Sequence, residues 1–228
     1  MTYDLILHDK HAIFNPNPET IVLVDTGVPL SFHTQSQFNF EGTNFSTHVN
    51  AHGISVADVA SLVGTNITTL LGADILSKFK VCLDYHNLKI TFEPLQYDIM
   101  EGEKVQVKMF QGYMMLPVTI NGQSVLGYLD TGAKLSYISA SLANGLVQND
   151  GLVDDFYIGI GQYKTPSYNT VATFTNGKMI HGCFGLLPIV ISSKFFSGIR
   201  QAIIGSDLFF NSKKVWIDYS NNYIHIVE

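Results

Sequence analysis

The sequence predicts an all-β protein with a few short helices, and three observations support this class. Runs rich in Val, Ile, Leu and Tyr end at Gly or Asn turn signals, as in TIVLVDTG and MMLPVTINGQSVLGYLDTG. The tripeptide Asp-Thr-Gly occurs twice, at 25–27 and 130–132, each time directly after such a run. A second block of two apolar residues, Gly, any residue and Asp follows each tripeptide, beginning at Leu70 and at Ile203. We therefore expect two related β-rich copies within one chain.

The individual elements follow from turn and cap signals. Asn121-Gly122 predicts a tight hairpin, and further hairpins are expected to turn at Asn87 and at Asn221-Asn222. Two short helices are predicted in SVADVASLV and SASLANGLV, where Ser55 and Ser139 are candidate N-caps.

Composition limits the function classes. The chain has 228 residues, of which 46% are hydrophobic and 14% charged, as expected for a protein with a packed core. The formal charge is -6 and no basic cluster is present, so we expect no nucleic-acid partner. No apolar run approaches the roughly 18 to 20 residues of a membrane span, and the opening segment lacks the pattern of a secretory leader. We therefore expect no membrane association and a cytoplasmic location.

The two tripeptides and the blocks that follow them resemble the motifs of aspartic proteases. In that family two Asp-Thr/Ser-Gly loops meet about a pseudo-twofold axis, and a hydrophobic-hydrophobic-Gly element lies beside each loop. The resemblance implies a pepsin/retropepsin-like acid protease barrel with two pseudo-twofold-related lobes. It also implies that Asp25 and Asp130 are the catalytic pair.

Four further loop residues have supporting roles by this resemblance. Gly27 and Gly132 allow a tight turn and a close approach of the backbone to the carboxylates. Thr26 and Thr131 are implied to bond across the lobe interface and to hold the two loops rigid. None of the four is expected to react.

The chemistry explains why two carboxylates are needed. Like charges in contact cannot both ionise, so the pair shares one proton. The ionised member can take a proton from water, and the protonated member can hydrogen-bond the scissile carbonyl. The resemblance therefore implies an aspartic endopeptidase, and the apolar residues around both motifs favour apolar side chains beside the cut.

The resemblance also divides the chain into two unequal lobes. We predict a short N-terminal lobe at 1–96 and a longer C-terminal lobe at 97–228, called below the first half and the second half. The segment DDFYIGIGQYKTPSYNTVATF resembles a retroviral protease flap, with Ile158, Gly159, Ile160, Gly161 and Tyr163 as candidate substrate-binding residues. In the first half we expect only a stub of a flap, in FNFEGTNFSTHV around Gly42.

Several positions depart from the family pattern. Val28 and Ala133 stand where pepsin-like members carry a hydroxyl that bonds the carboxylate, so we predict a less acidic pair and a mildly acid optimum. Pro29, Lys134, Ala73 and Ser206 replace the usual ion pair of retroviral members.

Other polar residues have structural interpretations. Asp74 and Asp207 are expected to be structural caps and not further acids. His48 with His52, and His8 with His11, have the spacing of metal-ligand pairs, but no third ligand is evident. We therefore expect no metal and no cofactor.

Two alternatives to the endopeptidase remain open. The first is a non-catalytic homologue that binds a peptide in the same cleft. The second is a two-carboxylate glycosidase, which explains the acids but neither the repeat nor the glycines. With both loops in one chain, we expect a monomer whose partner is a peptide or protein substrate.

Overall fold

The computed structural model describes residues 1–51, 53–158 and 160–228, and it is built mainly of β-strands. The strands of the first half are β1 (Thr2–Asp4), β2 (Ile6–His8), β3 (His11–Asn17), β4 (Thr20–Val24), β5 (Phe32–His33), β6 (Gln37–Phe40), β7 (Thr43–Ser46), β8 (Asn50–Ala51), β9 (Ile54–Ser55), β10 (Thr69–Leu71), β11 (Lys80–Asp84) and β12 (Lys89–Glu93). Those of the second half are β13 (Glu103–Gln106), β14 (Lys108–Phe110), β15 (Tyr113–Ile120), β16 (Gln123–Asp130), β17 (Ser136–Ile138), β18 (Val153–Tyr157), β19 (Gly161–Thr165), β20 (Ser167–Phe174), β21 (Met179–Leu186), β22 (Arg200–Gly205), β23 (Lys214–Asp218) and β24 (Tyr223–Val227). The helices are α1 (Val56–Val63), α2 (Ala73–Leu76), α3 (Ala140–Ala143), α4 (Ile189–Phe195) and a 3-10 helix at Ser206–Phe209.

The predicted helices and hairpins form at the expected places. Ser55 caps α1, where its side chain and that of Asp58 form a capping box, and Ser139 caps α3. The turn between β15 and β16 places Asn121 at φ 47° and Gly122 at φ 73°, the left-handed pair that a tight hairpin needs. None of the helices in the described ranges has the length and apolar content needed to cross a membrane.

The same three-strand arrangement occurs in both halves. In the first half β4 pairs parallel with β10, which pairs antiparallel with β5. In the second half β16 pairs parallel with β22, which pairs antiparallel with β17. Each aspartate of an Asp-Thr-Gly motif lies at the end of the parallel pair, beside the Gly of the following block. The fold is thus the all-β one with a few short helices that the sequence predicts, and it contains the same strand arrangement twice.

A six-stranded sheet joins the two halves, in the order β1-β12-β11-β23-β24-β13. Its central pair is β11 with β23, one strand from each half, in antiparallel register. Lys80 and Asp218 face each other across this pair with 3.2 Å between Nζ and Oδ2, and both side chains are buried. Because the halves share a sheet and a continuous core, they stabilise each other. The bounds 1–96 and 97–228 stay a prediction.

The hairpin around Gly42 differs from the expected flap stub. Strands β6 and β7 form a hairpin whose Phe38 and Phe40 are buried in the core, stacked at 5.8 Å between ring centroids. The alternation of buried and exposed residues along β6 turns these rings inward, so the hairpin covers core and not cleft. The first half instead reaches the cleft with β8 and β9, through Ala51 and Ile54.

Candidate active site

Asp25 and Asp130 meet at the floor of one cleft. Asp25 follows the last residue of β4, and its N–H donates to Leu71 O at 3.0 Å. Asp130 ends β16 opposite Gly205 of β22. The two carboxyl groups are in hydrogen-bond contact with each other. The structure therefore brings together the two acids that the sequence singles out.

Reciprocal bonds between Thr26 and Thr131 hold the two loops. Each threonine N–H donates to the hydroxyl of the other, at 3.0 Å in both directions. Each hydroxyl then donates to a strand carbonyl of the opposite half: Thr26 to Leu129 O at 2.9 Å and Thr131 to Val24 O at 3.0 Å. All four bonds are buried, so each atom depends on the others for its partner.

The glycines at 27 and 132 allow the loops to touch. A Cβ at Gly27 would overlap the carboxyl group of Asp130, and a Cβ at Gly132 would overlap that of Asp25. The N–H of Gly27 donates to Asp25 Oδ1 at 2.9 Å, and that of Gly132 donates to Asp130 Oδ1 at 3.0 Å. The absence of a side chain at both positions therefore permits the carboxyl contact.

The two carboxyl groups are not electrostatically equivalent. Burial, the charge of Asp130 and the hydrogen bond to Asp130 hold the pKa of Asp25 well above its usual range. Burial also raises the pKa of Asp130, but the hydrogen bond from Asp25 and two backbone N–H groups oppose that rise. The second of these N–H groups is that of Ala133, 3.1 Å from Oδ1. The pKa of both carboxyl groups is therefore raised, that of Asp25 the more strongly, and the two groups in contact share one proton.

Asp74 and Asp207 each accept a hydrogen bond from a serine that follows one of the two loops, and each serine–aspartate pair is called a brace below. Ser31 Oγ donates to Asp74 Oδ1 at 2.6 Å and accepts the N–H of Gly72 at 2.9 Å. In the second half Ser136 Oγ donates to Asp207 Oδ1 at 2.8 Å and accepts the N–H of Gly205 at 2.9 Å. Both aspartates have structural partners, as predicted, but the prediction that they are caps is wrong, because Gly72 and Gly205 are the N-cap residues and have no side-chain cap bond. Ser31 and Ser136 complete each brace.

The cleft above the aspartates has a volume of about 430 Å³ and mainly apolar walls. The first half contributes aliphatic and aromatic side chains, including Val28, Leu30, Phe32 and Leu70. The second half contributes a more aromatic wall that includes Tyr113, Tyr137, Phe195 and Ile203. Such a lined groove suits an extended peptide with apolar side chains.

The segment predicted to be a flap forms a hairpin of β18 and β19 in the second half, called the flap below. Side chains alternate along it, so that Phe156 and Ile158 pack on an apolar cluster of the first half while Tyr157 and Tyr163 pack on one of the second. Phe156 also stacks on the buried ring of His11 with 5.6 Å between centroids. The flap therefore bridges both walls of the cleft.

The predicted flap residues divide by position. Ile158 and Tyr163 line the cleft. Gly161 has φ 90°, which requires glycine at the turn, and Ile160 beside it is 44% exposed to solvent. Gly159 lies outside the described residues.

Several cleft residues had no distinct sequence signal. His11, Lys134 and Asp155 line the cleft together with Tyr137. Lys134, at a position where the family pattern differs, pairs with Asp9 at 2.6 Å. Asp155 follows another acid and carries no motif of its own, and Tyr137 is notable in the sequence only as part of the repeat. In the described part of the chain no three His, Cys, Asp or Glu side chains cluster as metal ligands.

Comparison with known proteins gives likenesses among solved structures and none elsewhere. No family model matches the chain, and no curated protein matches it. Among solved structures, the chain is similar to a retropepsin-like aspartic protease from Rickettsia conorii, with a TM-score of 0.38 and 12% sequence identity. The likeness covers 57% of this chain and 97% of that one.

Proposed function

We propose that this chain is an aspartic endopeptidase that hydrolyses peptide bonds with Asp25 and Asp130. We further propose that residues 1–96 and 97–228 are two retropepsin-like lobes of a single-chain enzyme that acts as a monomer. One observation carries the proposal: the two carboxyl groups touch at the floor of an apolar cleft, in loops locked to each other by four buried hydrogen bonds.

The unequal environments of the two acids assign their roles. The N–H groups of Gly132 and Ala133 favour the ionised form of Asp130. The N–H groups of Gly27 and Gly132 act likewise on Asp25, but burial and the charge of Asp130 outweigh them and favour its protonated form. Asp130 is thus the general base that takes a proton from the attacking water. Asp25 is the acid that hydrogen-bonds the scissile carbonyl oxygen and transfers its proton as that oxygen gains charge.

Each bond formed and each proton moved in this hydrolysis can be followed through one turnover. The water oxygen bonds to the carbonyl carbon, one water proton goes to Asp130, and the Asp25 proton goes to the carbonyl oxygen. In the second step Asp130 gives its proton to the leaving nitrogen, the C–N bond breaks, and Asp25 recovers a proton as the carbonyl reforms. The flap excludes bulk water from these steps, which strengthens the interactions of the charged groups.

The walls of the cleft indicate the substrate class. Both walls present mainly apolar side chains, and Phe156 and Ile158 close the cleft from above with further apolar surface. A substrate with apolar residues on both sides of the cut would remove this surface from water at about 25 cal/mol per Å². The expected partner is an extended segment of a peptide or protein.

A cleavage profile with matched variants tests the proposal. The wild type should cut an unbiased peptide library beside apolar residues, and Asp25→Asn and Asp130→Asn should each lose at least about a thousandfold in kcat/KM, since each removes one partner of a coupled pair. Asp4→Asn is the control, because Asp4 is an exposed aspartate that pairs with Lys89 away from the cleft.

The outcome also separates the enzyme from the peptide-binding alternative. Tight binding of a statine-type peptide with no turnover of any library member would favour a non-catalytic homologue. Full activity in either active-site variant would disprove the assigned chemistry.

A further inference from the structure

Two polar contacts join the flap hairpin to the body of the molecule. Thr165, at the end of β19, exchanges hydrogen bonds with the backbone of Leu186. The other contact lies nearer the turn of the hairpin and involves side chains alone. Asp155 of β18 and Tyr163 of β19 are direct cross-strand partners, so their side chains leave the hairpin on the same side. Both point to Tyr137 of β17. The hydroxyl of Tyr163 donates to that of Tyr137 at 2.8 Å, and the hydroxyl of Tyr137 donates to Asp155 Oδ2.

This chain of hydrogen bonds is buried. Tyr137 is 3% exposed and Asp155 is 7% exposed. The other carboxylate oxygen of Asp155 accepts the N–H of Phe156 at 2.8 Å, which orients the group toward the tyrosine. Breaking the chain would leave buried polar atoms without partners, and that cost makes the bonded arrangement strongly preferred.

The fold provides space for the Tyr137 ring. Tyr137 lies beside Gly185 of β21, and a Cβ at Gly185 would lie 2.9 Å from Cε1 of the tyrosine. The ring is thereby directed from the sheet toward the base of the flap. Because β17 follows directly from the Asp130 loop, the contact connects the flap to the loop that carries one of the two aspartates.

Tyr137 and its counterpart in the first half differ by a hydroxyl group. Tyr137 faces Ile203 across β17 and β22, and its counterpart Phe32 faces Leu70 across β5 and β10. Phe32 has the same ring without the hydroxyl. The hydroxyl is therefore present in the half that supplies the β18–β19 flap, and its counterpart lacks it.

We propose that the Tyr163–Tyr137–Asp155 chain is an anchor that holds the flap closed over Asp25 and Asp130, so that Tyr137 and Asp155 are positioning residues for hydrolysis. This inference rests on the proposed function for its effect on rate. Its structural part, the closed flap, has its own measurable consequence.

The charge of Asp155 adds a second, separable effect. The titratable or charged groups around it are Tyr137, Tyr163, Lys134, His11 and Asp130. Burial raises the pKa of Asp155, and the bond from Tyr137 opposes that rise. The charge of Asp155 in turn raises the pKa of Asp130. Asp155→Asn removes this charge but keeps an oxygen that accepts from Tyr137. It should therefore move the acid limb of the profile of kcat/KM against pH to lower pH.

Hydrogen exchange in the full chain tests the anchor directly. In Tyr137→Phe, amide exchange across 153–165 should be at least about tenfold faster than in the wild type, because the variant loses both hydrogen bonds of the Tyr137 hydroxyl. Exchange in β15 and β16 should not change. Asp154→Asn, on the exposed face of the same strand, is the matched control. Equal flap exchange in Tyr137→Phe and the wild type would overturn the proposal.

Steady-state kinetics of variants distinguish a positioning role of Tyr137 and Asp155 from a general loss of protein stability. Tyr137→Phe and Asp155→Ala should each lower kcat/KM about tenfold, partly through a higher KM, and the double variant should lose no more than the larger single loss. Asp155→Asn should keep most of the activity because its amide oxygen still accepts from Tyr137, but its acid limb should lie at lower pH. Additive losses, or equal effects of Ala and Asn at 155, would also overturn the proposal.

Failure of the proposed function can be told apart from failure of the anchor. If the wild type cuts no peptide, the proposed function fails, and the hydrogen-exchange result still decides whether the anchor holds the flap.

Discussion

The N–H of Thr26 donates to the hydroxyl of Thr131, and the N–H of Thr131 donates to the hydroxyl of Thr26, both at 3.0 Å. These residues lie 105 positions apart in the chain, yet each supplies the acceptor that the other needs. The reciprocal pair fixes the distance between the loops that carry Asp25 and Asp130. The spacing of the two carboxyl groups therefore depends on atoms that take no part in proton transfer.

Thr131→Ala should destabilise the fold and lower activity together. The change removes the acceptor for the Thr26 N–H and the donor for Val24 O, so about 2 to 4 kcal/mol of unfolding free energy should be lost. Urea denaturation measures this loss. Thr131→Ser keeps the hydroxyl and should stay within about 1 kcal/mol of the wild type. Equal stabilities for the Ala and Ser variants would contradict the role given to the hydroxyl.

Much of the local structure could be predicted because its causes are local. The capping box of Ser55 and Asp58 involves residues three positions apart, and it starts α1 where expected. Asn121 and Gly122 adopt left-handed conformations that few other residues accept. The pair of aspartates also followed from the sequence, because the repeated motif indicated two equivalent loops.

The misplaced or missed features depend on contacts between distant parts of the chain. The β6–β7 hairpin packs inward because Phe40 contacts the rings of Phe14 and Phe92. These contacts join distant parts of the chain, so no local sequence pattern predicts them. The brace of Ser136 by Asp207 spans 71 positions. Likewise, the buried position of Asp155 depends on the register of the flap and on a tyrosine of another strand. Polar residues with such distant partners resemble ordinary surface residues in the sequence.

Asp25→Asn should stabilise the protein at neutral pH while abolishing activity. Burial and the neighbouring charge of Asp130 raise the pKa of Asp25 above its unfolded value, so the folded state binds this proton more tightly than the unfolded state. The stability of the wild type therefore falls as pH rises from about 4 through the folded pKa. The variant cannot titrate there. Its Tm should exceed that of the wild type at pH 7, with a difference that shrinks as pH falls, in calorimetric scans across this range.

Asp207→Asn should remove a second pH-dependent loss of stability. Like that of Asp25, this loss grows as pH rises. Burial raises the pKa of Asp207 to about 6, against 3.8 as the usual value. The wild type thus loses up to about 2 to 3 kcal/mol as pH rises through this window. The Asn variant keeps an acceptor for Ser136 and should be more stable above about pH 6. Urea unfolding at a series of pH values measures this, and parallel curves for the two proteins would refute the assignment.

Ala133→Ser should move the acid limb of the rate profile to lower pH. The Ala133 N–H already bonds Asp130 Oδ1 at 3.1 Å, so a serine hydroxyl at this position is close enough to donate to the same carboxyl group. A hydrogen bond to the ionised form stabilises it, and one such bond corresponds to about one pH unit.

Without that hydroxyl the wild type should have its optimum between roughly pH 4 and 6. The profile of kcat/KM against pH for one peptide measures both limbs. Val28→Ser is the matched comparison, because it offers the hydroxyl to Asp25, the member to which we assign the proton. It should shift the acid limb less, since that limb follows the ionisation of Asp130. A larger shift in Val28→Ser than in Ala133→Ser would reverse the roles of acid and base assigned to the two aspartates.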